Sequence, residues 1–222
     1  MPKIESHKRV NDILLGPLER PTLQWLAAHM PRWVNPDILT IIGVAGALVT
    51  ALSYWLCHYN RNFLWLASLG FIINWFGDSL DGTLARYRHI ERPKYGFYID
   101  HAVDAFTEII MILGLGISPY VRFDVACIAL IGYFLMSNLV FLRTCVIGEF
   151  RLSYGRLGPT EARVLMMIAN TIVYFSRNPA VQFRFGAFSL FDFIVLGLAA
   201  LLYYFAITST ITQALELARK GE

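Results

Sequence analysis

The chain has 222 residues, of which 56% are hydrophobic and only 16% charged, with a formal net charge of +3. Its mean hydropathy is +0.51. A charged fraction so far below the ~25% usual in soluble domains excludes an ordinary water-soluble domain and points to an integral membrane protein, and no nucleic-acid partner is expected.

The N-terminus carries Lys3, Lys8 and Arg9, but Asp12, Pro17, Glu19 and Pro21 interrupt any apolar core behind them. A cleaved signal peptide is therefore not expected. Residues 14–33 mix Leu14, Leu15, Leu18, Leu23, Trp25, Leu26 and Trp33 with Glu19, Arg20, His29 and Arg32. This pattern predicts an amphipathic helix lying along the bilayer surface, which anchors and orients the first span. Six spanning helices are predicted over 36–58, 62–87, 93–117, 123–148, 159–176 and 190–214. The fold class is thus all-α and membrane-embedded, with a six-helix core over 36–214. Connections are short, and residues 1–222 read as a single domain. Cys57, Cys127 and Cys145 lie scattered in apolar segments, with no CxxC pair and no His at a zinc-ligand spacing. They read as small apolar residues.

Orientation follows from the basic residues. Of the 19 Lys and Arg, all but Arg61, Arg122, Arg177 and Arg184 fall on the side shared by the two termini and the second and fourth connections. Cytoplasmic flanks carry the excess of Lys and Arg, so both termini are expected in the cytoplasm.

Four aspartates interrupt the apolar pattern. Asp78 and Asp81 stand near the end of the second span, and Asp100 and Asp104 near the start of the third. Asp78, Asp81, Gly82 and Ala85 recur at i, i+3, i+4 and i+7, and Gly96, Asp100, Asp104 and Glu108 at every fourth residue; each set shares a helix face. The two helices are predicted to be antiparallel neighbours whose acidic faces meet near the cytoplasmic end. Ionisable groups inside a membrane mark functional sites, and clustered carboxylates repel one another unless cations neutralise them. Oxygen ligands of this kind suit Mg²⁺, Mn²⁺ or Ca²⁺ rather than zinc, and four carboxylates are enough for two ions. Gly82, Ala85 and Gly96 leave room for a ligand beside the acids, and equally suit helix packing. Arg86 is the natural partner of a phosphate. Arg88, Arg92 and Lys94 read as interfacial anchors. His101 suits a proton-handling or positioning role as well as a structural one. Glu108 reads as a supporting partner of the site or as an unrelated polar contact.

The series Asp78-x2-Asp81-Gly82-x2-Ala85-Arg86-x9-Gly96-x3-Asp100-x3-Asp104 resembles the signature of the CDP-alcohol phosphotransferase family. The resemblance extends to chain length, predicted spans and the interfacial N-terminal helix. It implies displacement of CMP from a CDP-linked donor by an alcohol acceptor, with two Mg²⁺ or Mn²⁺ ions, in phospholipid biosynthesis, by a homodimer among membrane lipids. It further implies that Asp78, Asp81, Asp100 and Asp104 are metal ligands and that Gly82, Ala85, Arg86 and Gly96 line the CDP site. Asp104 becomes the favoured general base, with His101 as its helper. Asn35 and Thr40 resemble the family's turn at the first span and are candidate nucleotide contacts. His101, directly after Asp100, is more like the choline and ethanolamine phosphotransferases than the bacterial phosphatidyl-transferring members, which tend to carry Ser there. Arg151, Arg156 and Arg163, in and after the fourth connection, suit an anionic acceptor or lipid phosphate, although cytoplasmic flanking explains most of them. Glu161 complements a helix dipole or receives an acceptor. Two rivals account for less. A divalent cation channel or transporter would use the same acids, but these cluster at one end. An intramembrane aspartyl protease needs only two carboxylates and leaves Asp81, Asp104 and Arg86 without a role.

Overall fold

The computed structural model describes residues 8–10, 13–151, 157–184 and 186–221. Seven helices run in chain order among them: α1 (Gly16–His29), α2 (Pro36–Leu56), α3 (Phe63–Tyr87), α4 (Pro93–Gly116), α5 (Phe123–Ile147), α6 (Pro159–Ser176) and α7 (Leu190–Lys220). Two short sheets, absent from the sequence expectation, accompany them. β1 (Lys8–Val10) runs parallel to β2 (Glu149–Arg151), and β3 (Ala180–Phe183) pairs antiparallel with β4 (Gly186–Ser189).

Local chemistry sets the helix ends. Asn35 Oδ1 accepts from Ile38 N at 2.9 Å, with Pro36 opening α2; the side chain takes an otherwise unpaired first-turn donor. Glu161 Oε2 accepts from Gly158 N at 2.9 Å at the head of α6. Ser189 and Asp192 form a reciprocal capping box on α7. Gly148, at φ 75°, closes α5 in the left-handed conformation. The last helix continues past residue 214 to Lys220, because the polar sequence there keeps helical bonding and ends on Gly221 at φ 76°.

Among the described residues, four helices are long and apolar enough to cross a membrane: α2, α3, α5 and α7. The two predicted spans outside this set are α4 and α6. Their composition explains it: α4 carries Lys94, Asp100, Asp104 and Glu108, and α6 carries Glu161 and Arg163. Of these charges, Asp100, Asp104, Glu108 and Arg163 gather at the candidate site described below.

The packing is organised by α2. It crosses α3 along Gly43, Gly46, Gly70 and Gly77, and backbone meets backbone there. A Cβ added to Gly46 would stand 2.8 Å from Gly70 O, and one added to Gly70 would stand 2.9 Å from Gly46 O. A Cβ on Gly77 would collide with the backbone of Gly43 and Leu39. Small residues at such crossings let helices approach closely where lipid offers no hydrophobic drive to association. On another side of α2, Gly114 of α4 lies against Ala51, where a Cβ would be 2.6 Å away. α4 also packs on α5, and α3 on α1 and α6. Away from the acidic residues, Tyr54 Oη donates to Asn170 Oδ1 at 2.9 Å and Asn170 Nδ2 to Ser68 Oγ at 3.1 Å. This buried chain ties α2, α6 and α3 together.

α1 packs Leu23 and Ala27 against Val34, Leu39, Leu80 and Leu84. Leu18, Trp25 and Trp33 remain exposed. Glu19 fastens α1 to two other helices, since its Oε1 accepts from Trp75 Nε1 at 2.8 Å and from Thr160 Oγ1 at 2.9 Å.

The crossing yields a test. Gly46→Val and Gly77→Val should each lower stability by about 3 kcal/mol or more through overpacking against backbone that has no room to move. Gly197→Ala, on α7 with open space around it, should be neutral. Thermal unfolding in detergent measures both.

Candidate metal centre

α3 and α4 do not pack directly along their lengths; both lean on α2, and a narrow cleft separates their acidic ends. Its lining comprises Thr40 and Gly43 from α2, Asn74, Asp78 and Asp81 from α3, and Asp100, Val103, Asp104 and Thr107 from α4. Helical spacing explains the selection: 74, 78 and 81 share one face of α3, and 100, 103, 104 and 107 share one face of α4. The predicted meeting of two acidic faces is thus present, but across a gap, with a third helix closing it.

Each carboxylate has a distinct setting. Asp81 is buried. Its Oδ2 accepts from Thr40 Oγ1 at 2.6 Å and its Oδ1 from the Gly82 backbone N–H. Asp78 Oδ2 accepts from Arg163 Nη2 at 2.6 Å, and the Arg163 side chain is only 7% exposed. Asp100, His101 and Asp104 present ligand atoms within 4.8 Å of one another. Asp78 and Asp100 lie close enough to act on the charge of both Asp81 and Asp104.

Thr40 therefore touches the acid cluster itself, holding Asp81 in place, while Asn35 caps its helix. His101 stacks edge-on between Phe97, at 4.4 Å between ring centroids, and Phe141 of α5, at 5.6 Å. It is thus oriented by aromatic contacts at the side of the cleft and is not among the cleft-lining residues. Gly82, Ala85, Arg86 and Gly96 lie toward the helix ends, outside the cleft lining. Arg86 folds back along its own helix: its Nη2 donates to Thr83 Oγ1 at 3.2 Å, and a Cβ on Gly82 would lie 3.3 Å from its Nη1. A Cβ on Gly96 would meet nothing within 4 Å, so Gly96 serves no helix packing here.

Several basic residues differ from the sequence expectation. Arg163 is no cytoplasmic flank or free anion receptor; it is the buried counter-ion of Asp78, and it also acts on Asp104 and Glu108. Glu108, one turn beyond Asp104, belongs to this charged layer. Two of the three expected anchors are engaged as well. Arg88 donates to the carbonyls of Met30, Pro31 and Val34, and Arg92 pairs with Asp37. The carbonyls at the end of α1 and the turn after it need donors, and Arg88 supplies them. Glu161 is buried, and it ties Gly158 N to Leu15 N, the latter at 2.8 Å; this is helix capping and docking of α1, not acceptor binding. The Arg151 side chain and Arg156 lie outside the described residues. Sequence reading also passed over Asn74 as a lining residue, although its place one turn before Asp78 on the acidic face was available as a signal.

The lining fits hard divalent cations. It offers carboxylate, hydroxyl and amide oxygens without a thiol, and one arginine is too little positive charge for four acids. Asn74 Oδ1 is buried with no hydrogen-bond partner among the described residues.

Fold and cleft together define a helical membrane protein with carboxylates of two helices converging on a cleft that a third helix closes. The sequence profile described as CDP-alcohol phosphatidyltransferase matches residues 33–212, and the chain belongs to that family of transferases. Among similar proteins, the archaetidylinositol phosphate synthase of Pyrococcus horikoshii is 31% identical over 137 residues, covering 62% of this chain and 69% of the relative. Cholinephosphotransferase 1 of Danio rerio is 27% identical over 188 residues, covering 78% of this chain and 47% of the relative. The Homo sapiens cholinephosphotransferase 1 is 29% identical over 165 residues, covering 68% and 39%. The chain thus spans under half the length of these cholinephosphotransferases.

Removing the buried counter-ion should be costly. Arg163→Met leaves Asp78 uncompensated and is expected to destabilise the metal-free protein by ~3 kcal/mol. Added Mn²⁺ should restore more of the lost Tm than it adds to the wild type, because it replaces the missing positive charge. Unfolding curves with and without Mn²⁺ check this.

Proposed function

We propose that this protein transfers a substituted phosphate group from a CDP-linked donor to an alcohol acceptor, with release of CMP, in phospholipid biosynthesis. The observation that carries the reading is the convergence of Asp78, Asp81, Asp100 and Asp104 on one cleft beside Thr40, in a member of an enzyme family built on that acid series. Family membership favours transfer chemistry over ion conduction.

Asp78, Asp81, Asp100 and Asp104 would hold two Mg²⁺ or Mn²⁺ ions. When bound, such ions neutralise the diphosphate and the charge that develops on departing CMP. The acceptor hydroxyl attacks the phosphorus that carries the transferred group. The bond from that phosphorus to the oxygen bridging the diphosphate breaks, CMP leaves with that oxygen, and the hydroxyl proton passes to Asp104. His101, whose ring lies close to both Asp100 and Asp104, relays the proton or orients the acceptor. Thr40 keeps Asp81 in position. Arg86, at the mouth of the acidic face, swings from Thr83 to the diphosphate, where Gly82, Ala85 and Gly96 leave space for the nucleotide.

The membrane arrangement follows the same reading. α4, with 24 residues, reaches about 36 Å at 1.5 Å per residue, and α6, with 18 residues, about 27 Å. Both lengths suit a hydrocarbon core of ~30 Å, and apart from the exposed Lys94 in the first turn of α4 their charges are at least partly buried, so all six helices from α2 to α7 span the bilayer. α1 lies at the interface with Leu18, Trp25 and Trp33 toward lipid. The excess of basic residues at this end supports a cytoplasmic position for the cleft and both termini, and the family resemblance supports a homodimer.

A CMP-release assay on purified protein tests the reaction. It crosses CDP-diacylglycerol, CDP-choline and CDP-ethanolamine with inositol phosphate, glycerol phosphate, serine and diacylglycerol, each with Mg²⁺ or Mn²⁺. One pairing should turn over, and only with metal. Asp100→Asn and Asp104→Asn should each lower kcat at least ~10³-fold while the folded protein survives; appreciable turnover in both would remove their assigned roles. His101→Ser is expected to change kcat or acceptor preference, and an identical kinetic profile would reduce His101 to packing between Phe97 and Phe141.

A further inference from the structure

Asn74 sits on the face of α3 that carries Asp78 and Asp81, one turn further from the helix end. It is 2% exposed and lines the acidic cleft. Its Nδ2 donates to Gly43 O at 3.0 Å across the α2–α3 crossing. This bond fixes which way the amide faces, since a flipped amide would set Oδ1 against the Gly43 carbonyl oxygen. Oδ1 is therefore directed away from that carbonyl, and it has no hydrogen-bond partner among the described residues. Leaving a buried acceptor unsatisfied costs about 1–3 kcal/mol.

Nearby donors do not serve it, and Arg163 Nε, itself buried without a hydrogen-bond partner among the described residues, does not reach it either. Thr40 Oγ1 serves Asp81 at 2.6 Å, Thr107 Oγ1 serves Asp104 O at 3.0 Å, and Arg163 Nη2 serves Asp78 at 2.6 Å. The rest of the polar lining is carboxylate oxygen. An unserved amide oxygen on a residue that lines a carboxylate cleft is suited to a cation.

We propose that Asn74 Oδ1 is a further ligand oxygen of the divalent-cation site, at its floor. The proposal rests on the metal-site reading above. A neutral ligand suits the position: it adds coordination without adding a fifth negative charge, and hard divalent cations accept Asn carbonyl oxygens alongside carboxylates. The same side chain grips α2 through Nδ2, so the ion's position is tied directly to the α2–α3 crossing.

The test is Mn²⁺ binding to the purified full chain in detergent, followed by the electron paramagnetic resonance signal of free Mn²⁺. The wild type should bind, Asp100→Asn should lose most of that affinity, and Asn74→Leu should weaken it roughly 10-fold. Asn74→Asp keeps an oxygen but loses the donor to Gly43 O, and it should bind at least as tightly as the wild type. Electron–nuclear double resonance on protein labelled with ¹³C-asparagine should show a ¹³C coupling to bound Mn²⁺ that disappears in Asn74→Asp. Equal losses in Asn74→Leu and Asn74→Asp, or no ¹³C coupling, would overturn the proposal and leave Asn74 as a helix tie, with the metal centre itself intact. No Mn²⁺ binding by the wild type, or undiminished binding by Asp100→Asn, would overturn the metal centre and the Asn74 assignment together.

Discussion

The close approach of α2 and α3 is the constraint on which the rest of this molecule depends. Side chains normally hold helix axes apart, and here Gly43, Gly46, Gly70 and Gly77 remove them where the two backbones meet. That approach places Thr40 on Asp81 and Gly43 O on Asn74 Nδ2. It also makes α2 a platform against which α4 leans through Gly114 and Ala51. α3 and α4 then stand apart at their acidic ends by the width of a cleft. Were they packed directly on each other, the carboxylates would have no room for a ligand between them.

Electrostatics supplies the second constraint. Four carboxylates with one buried arginine form an arrangement that low dielectric makes unfavourable until positive charge is added. Arg163 supplies part of that charge from α6 and so binds a fourth helix to the centre through Asp78. The remaining deficit is what a bound cation would offset. A phosphate-bearing ligand, itself anionic, could approach these acids only after that deficit is met. Structure and proposed chemistry thus rest on the same imbalance.

The peripheral basic residues illustrate how a correct regional statement can hide specific work. Arg88 and Arg92 do lie at the basic end of the bundle, as their distribution predicts. Yet Arg88 gathers three carbonyls at the end of α1 and the turn behind it, and Arg92 holds Asp37 at the head of α2. With Glu19 and Glu161, Arg88 docks α1 and its turn to neighbouring helices. A composition rule sums charge over a side of the membrane and is blind to such partners, because each is separated in sequence by more than 50 residues.

Chain order alone sufficed for the helical membrane class, for most helix limits, and for the Asp78, Asp81, Asp100 and Asp104 constellation. Those features are written in local periodicity: hydropathy over a helix length, and carboxylates at three- and four-residue spacing that must share a face. The roles of Arg163, Asn74 and Glu161 were not readable in the same way. Arg163 stands 85 residues from Asp78, and its pairing arises because α6 packs beside α3. Asn74 becomes noteworthy only when Gly43 is seen to occupy its amide nitrogen and no described residue its oxygen. Long-range partners depend on which helix faces meet and how closely, and that is settled by three-dimensional packing, since no local pattern encodes the distance between two helices.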